Sequence, residues 1–184
     1  MVCSRDEKGS AHLSEFAAAI FLLLTCIVIP LIDLAAIPIR WALGRSIVAE
    51  RVHNLAGSET LGAALQEFSQ DRTLDKSMAD IGGTTVQWSE LTLTATSIRR
   101  PDQAVTVARS GMLPSEWLPD GARSPCAYQL GLTVRADIAP LIMLKIPNVN
   151  IPLLTRPLSI PFHDSSSWEN LGRDPLSGQF YVNE

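Results

Sequence analysis

Two carboxylates bracket the most apolar stretch of the chain: Glu15 stands directly before the run FAAAIFLLLTCIVIPLI, and Asp33 directly after it. A charged side chain at mid-bilayer costs about 2.5–3.5 kcal/mol, a cost that fades toward either interface. Asp33 is therefore expected to end a helix at the far interface. Glu15 is expected to be either the last polar residue before lipid or a group kept for a specific partner. Other residues carry the types needed for catalysis or metal binding. His163-Asp164 followed by Ser165, Ser166 and Ser167 has the composition of a hydrolase centre. Neighbours along a strand point to opposite faces, however, and no GxSxG elbow is present, so a polar turn is expected there. His53 and His163 lack metal-ligand spacing. Cys3, Cys26 and Cys126 fall before the apolar run, inside it and well beyond it, which suggests neither an intramolecular disulfide nor a CxxC site. Cys126 is expected to pack as a small apolar side chain. No GxxxxGK loop is present to cradle a phosphate, so a phosphate-loop NTPase is not expected.

The element that positions the two acids is a helix. Phe16 to Ile39 is about 24 residues, roughly 36 Å at ~1.5 Å per residue, enough to cross a hydrocarbon core of ~30 Å. Pro30 and Pro38 each remove a backbone donor and should loosen it locally, which membrane helices tolerate. Arg40 and Trp41 suit the interface as a snorkelling cation and an amphipathic ring. The helix is expected to continue through Trp41, Ile47, Val48, Val52 and Leu55 and to stop at Gly57. The preceding MVCSRDEKGS resembles the charged region of an exported protein. The apolar run is too long for an ordinary signal peptide, and no AxA pattern follows it, so the span is expected to stay attached. Arg5 and Lys8 before it and Arg40, Arg45 and Arg51 after it leave the positive-inside rule without a preference for an inside amino terminus.

Beyond Gly57 the chain has room for one small domain in a total of 184 residues. Ser58 is the expected N-cap of a second helix, with Leu61, Ala64, Leu65 and Phe68 on one face and an end near Asp71. RTLDKSMADIGG reads as a polar connector. Period-two alternation then begins: Thr84, Val86 and Trp88, next Leu91, Leu93 and Ala95, then Val105 and Val107 after an Arg100-Pro101-Asp102 turn. The strongest strand signal places Cys126, Tyr128, Leu130, Leu132, Val134, Ala136 and Ile138 on one face. Leu158, Ile160 and Phe162 form the expected antiparallel partner. The intervening IAPLIMLKIPNVNIPLLTRP is too apolar for a solvated loop, and its four prolines forbid regular structure through much of it. It must be covered by the domain's own helix, the bilayer or a neighbouring subunit. Trp168 is read as an interfacial or core aromatic, and the stretch from Phe180 to Val182 as a last edge strand. A net charge of −4 with no dense basic patch makes nucleic acid an unexpected partner.

A Gly and small residues, then Glu15 followed by aromatic Phe16, then a long apolar helix with an internal Pro and an Ile-Asp-Leu near its end, resembles the amino terminus of TadE-like proteins, minor pilin-like components of tight-adherence pili. A strand, an apolar Pro-rich excursion and a returning strand over residues 126–170 extend the resemblance. It implies a prepilin peptidase acting near Gly9, Ser10 and Ala11. The family spacing is Gly, four residues, Glu; here five residues separate Gly9 from Glu15, and a cut after Ser10 would make Glu15 the fifth mature residue. It also implies that Glu15 and Phe16 serve helix docking, the acid pairing with the freed amino terminus of a neighbour and setting axial register. The expected architecture is α+β and pilin-like: residues 1–10 leader-like, 11–57 a transmembrane helix extending outward, and 58–184 an exported domain of antiparallel strands with one packing helix. Implied partners are the inner membrane, other pilin-like subunits, the prepilin peptidase and the pilus assembly platform, with no cofactor and no small-molecule substrate. The rival readings are a generic single-pass envelope protein whose domain binds another partner and, in a third class, an anchored hydrolase.

Overall fold

A computed structural model describes residues 8–70, 72–108, 111–143, 151 and 155–184, with the backbone alone for residues 8–13. One helical rod opens the chain: α1 (Lys8–Leu23), a π-turn (Leu24–Val28) and α2 (Ile29–Ala56). The π-turn lies just ahead of Pro30, whose ring would press on the carbonyl four residues back, at Cys26. A wider turn, with Ile29 N–H donating to Leu24 O, accommodates that ring without ending the rod. Pro38 is carried inside α2, and Gly57 caps its end.

The far half of α2 belongs to the domain core. Val48, Val52 and Leu55 are completely buried, each contributing roughly 1.5–3 kcal/mol of apolar burial. They pack on one face of a four-stranded antiparallel sheet of order β2-β1-β3-β4, built from β1 (Thr84–Ser97), β2 (Ala104–Ala108), β3 (Cys126–Ile138) and β4 (Leu158–Ser167). The helix lies over β3 and β4, while α4 (Thr73–Asp80) leans on β1. α3 (Leu61–Gln70) packs against α2 and against the carboxyl-terminal 3-10 turn Tyr181–Asn183. The other sheet face is polar: Thr92, Thr94, Thr133 and His163 line it, with Thr94 and Thr106 hydroxyls paired at 3.0 Å across β1 and β2. One wet face and one packed face suit an antiparallel sheet of this kind.

The alternation expected on β3 is present: Tyr128 through Ile138 at even positions are buried, and Cys126 is half-buried. β3 pairs β4 with Val134 opposite Phe162 and Ile138 opposite Leu158. Several expectations need correction. β1 carries a bulge between Val86 and Trp88, so inward positions change parity and Trp88 lies on the outside, 45% exposed. β4 continues through His163 to Ser167 where a turn was expected; as an edge strand it takes polar residues without losing its ladder. The polar connector contains α4, held because Leu74 and Met78, one turn apart, are both buried. Thr60 rather than Ser58 caps α3, its Oγ1 accepting from Ala63 N–H at 3.1 Å; Asp71 lies outside the described residues. Phe180 makes a single bridge to Arg173 before the 3-10 turn, in place of a strand.

At the end of the sheet farthest from α1, Tyr128 Oη donates to Trp117 O at 2.8 Å beneath the buried Trp168. Burial, reinforced by neighbouring Cys126, pushes the Tyr128 hydroxyl from its ordinary 10 up to about 12. A raised folded value means that the folded state holds the proton more tightly, so this contribution is intact below pH 10 and is lost between pH 10 and 12. Tyr128→Phe is expected to cost about 1 kcal/mol at neutral pH, the worth of one hydrogen bond. It should also flatten the alkaline fall in urea midpoint of the full chain; an unchanged slope would sink the assignment.

Candidate functional site at the helix entrance and the helix-to-sheet junction

The near half of the rod is bare. Phe16, Phe21, Leu24, Ile27, Leu31 and Leu34 are exposed all around it, which is the surface of a helix meant for lipid or for other helices. One helix, Ser14–Ala56 at 43 residues, is long and apolar enough to cross a membrane. At its entrance Glu15 and Phe16 are both exposed and point about 100° apart around the axis. Gly9, Ser10 and Ala11 lie on the backbone of α1; their side chains, like all of residues 1–7 and hence Cys3, lie outside the described residues. The polar atom of Thr25 is silenced within the span, its Oγ1 donating to Phe21 O at 2.7 Å.

Asp33 is not a helix-end residue. It lies inside α2, is only 3% exposed, and its Oδ1 accepts from Leu141 N–H at 2.7 Å. Among the described residues its Oδ2 is buried without a hydrogen-bond partner. Two turns on, Arg40 Nη1 donates to Ala139 O. Ala139 N–H in turn donates to Gly83 O at 2.6 Å. Gly83 has φ +68°, a left-handed conformation that favours glycine, and a Cβ there would only touch Ala139 O and Arg40 Nη1 at 3.4 Å. The opening of β1, the end of β3 and the middle of α2 are thereby tied together by three hydrogen bonds. The apolar Pro-rich connection starts from this knot, partly covered by the chain's own helix; Pro147 and Pro152 lie outside the described residues.

The sequence did hold a signal for this junction. Asp33 and Gly44 are eleven residues apart, three helical turns with about 20° to spare, so Asp33 shares the face that carries Gly44, Val48, Val52 and Leu55 into the core. A carboxylate on the face that packs should have been read as a partner for a backbone donor.

The polar cluster of β4 is split between faces. His163 bonds Thr133 Oγ1 at 3.0 Å on the wet face, whereas Asp164 turns toward α2, 3.9 Å from Arg45. Ser166 meets His53 Nδ1 at 3.4 Å, a long contact at the surface. His163 and Asp164 are therefore not brought together, and neither is aligned with a serine as a base would be. Among the described residues no three His, Cys, Asp or Glu side chains converge as a metal site. A concavity of about 730 Å³ in the head opens between α3, α4 and β1 and is lined by Phe68, Arg72, Leu74 and Glu90 among others. Beside it Arg51 pairs with Glu67 at 3.0 Å. No family model, curated protein or solved structure matches the chain.

Proposed function

We propose that the chain is a single-pass membrane-anchored envelope protein that works by association rather than catalysis, its helix holding a β-rich head at the bilayer surface for a partner. The carrying observation is one rod with two surfaces: apolar and largely bare from Phe16 to Ile32, and packed by one face against a sheet from Gly44 to Ala56. A surface that is apolar all round belongs in lipid or in a bundle, while the packed half transmits the position of the anchor directly to the head. The cleft between α3, α4 and β1, apolar at Phe68 and Leu74 and charged at Arg72 and Glu90, is where the head offers a partner both kinds of contact.

A finer reading is favoured by the entrance of the rod. The resemblance to TadE-like proteins assigns Glu15 and Phe16 to docking between sibling helices in a pilus, with the head on the periplasmic or outer side of the inner membrane. In support, both residues are exposed at the mouth of the rod, well before its first buried position at Asp33. A carboxylate at the lipid boundary would set the axial register of neighbours through a pair strengthened by low dielectric. Cross-linking in native membranes tests it. With Glu15→Ala, high-mass cross-linked species should disappear while protein level and membrane insertion stay unchanged. Persistence of those species would remove the assembly reading and leave the anchored binding protein.

A further inference from the structure

The connection from Ala139 to Pro157 has the composition of a lipid contact: mostly apolar side chains, four prolines, two cations in Lys145 and Arg156, and no acid. We infer that its described opening, residues 141–143, is a second membrane contact, a wedge that enters the bilayer interface beside the helix and holds the head against the membrane. The inference rests on the membrane-anchored reading of the rod.

Its level along the rod carries the argument. Asp33 stands 17 residues beyond Phe16, about 26 Å of helix rise, so a hydrocarbon core of ~30 Å entered at Phe16 extends to Asp33 or just past it. Ala139 is bonded to Arg40 and Leu141 to Asp33, so the chain leaving β3 descends the helix by up to about 10 Å toward its bare apolar half. Leu141, Ile142 and Met143 follow at that depth with roughly half of each side chain exposed, as is Ile151. Bare apolar surface beside a lipid boundary is stabilised by entering it.

Backbone polarity, the usual objection to a loop in lipid, is met in part among the described residues. Ala139 N–H goes to Gly83 O, Leu141 N–H to Asp33, and Ile151 N–H to Thr155 Oγ1 at 2.8 Å, while Ile151 O accepts from Thr155 N–H at 2.9 Å. Pro140, Pro147, Pro152 and Pro157 have no N–H to satisfy. Non-helical backbone is tolerated at membrane depth only when its groups are paired in this way. The dependence is mutual: a carboxylate at the edge of lipid needs a donor and cover, and the connection supplies both to Asp33.

The full chain, with Cys3→Ala, Cys26→Ala and Cys126→Ala, is labelled at Ile142→Cys or Met143→Cys with an environment-sensitive fluorophore. It is then reconstituted in phosphatidylethanolamine and phosphatidylglycerol vesicles. A label at Ile98→Cys, just beyond the opposite end of β1, serves as the water-exposed reference. Emission from positions 142 and 143 should be shifted to the blue and quenched several-fold more by nitroxide lipids than emission from 98, with the order reversed for aqueous iodide. Equal iodide access at all three positions would overturn the wedge. So would shielding from iodide without lipid quenching, which would identify a protein cover, and a second copy if the shielding grows with protein-to-lipid ratio. Flotation separates the two failures: chains that do not float with the vesicles lose the anchor as well, whereas chains that float but stay iodide-accessible lose the wedge alone.

Discussion

Gly44→Leu is expected to pry the rod away from the head. A Cβ at Gly44 would lie 2.9 Å from Phe162 Cε1, 3.0 Å from Phe162 Cζ and 3.6 Å from Met78 Sδ. For Gly44→Ala two effects nearly cancel: the tip of the Phe162 ring must shift by a few tenths of an ångström, while the helix gains about 1 kcal/mol from replacing an interior glycine. Leucine adds three further carbons where a ring and a thioether already meet. Overpacking of that kind costs about 1–3 kcal/mol and more where the surroundings are stiff, and a β-sheet is stiff, so the clash exceeds the propensity gain. Urea unfolding of the full chain in detergent, followed by tryptophan emission, should show a clearly lowered midpoint for Gly44→Leu and a midpoint close to wild type for Gly44→Ala. A Gly44→Leu chain as stable as wild type would mean that the helix does not sit on β4 as described.

Phe162→Ala should cost more, about 3–5 kcal/mol, the range for removing a buried aromatic ring. The ring is 2% exposed, on the edge strand opposite Val134, and fills the space that Gly44 leaves open. Its loss vacates the centre of the helix-to-sheet contact, and the glycine across from it has no side chain with which to collapse into the gap. The two sites should also be coupled: Gly44→Ala, near neutral alone, is expected to become stabilising in a Phe162→Leu background, where the smaller side chain leaves room for a methyl group. Strict additivity in that cycle would count against a direct contact.

Much of this arrangement was legible from side-chain periodicity. The even positions of β3 declared their buried face because an antiparallel strand with one packed side alternates strictly, and the pairing with Phe162 followed. β1 was read less well, although the needed clue was present: Trp88 is even while Leu91 and Leu93 are odd, and a single strand cannot change parity without an extra residue. α4 escaped because an eight-residue helix rests on only two buried side chains, too few for a periodic signal to stand out. Asp33 was misplaced for a different reason. Hydropathy treats an acid at the end of an apolar run as a boundary marker, but the fold uses it as an acceptor for a segment 108 residues away. Local pattern cannot express so distant a pairing. Glu15 and Phe16 are exposed at the start of the rod, and their docking role is carried by the resemblance alone.

The π-turn at Leu24–Val28 works as a phase shifter between the two ends of the molecule. One additional residue in a turn advances every later side chain by about 100° of azimuth relative to an uninterrupted α-helix. The compass bearing of the head, measured from Glu15, is therefore set in the middle of the span and not by the sheet. Closing that turn to ordinary α-helical winding would swing the β-domain through more than a quarter of a circle while leaving each half of the molecule internally unchanged.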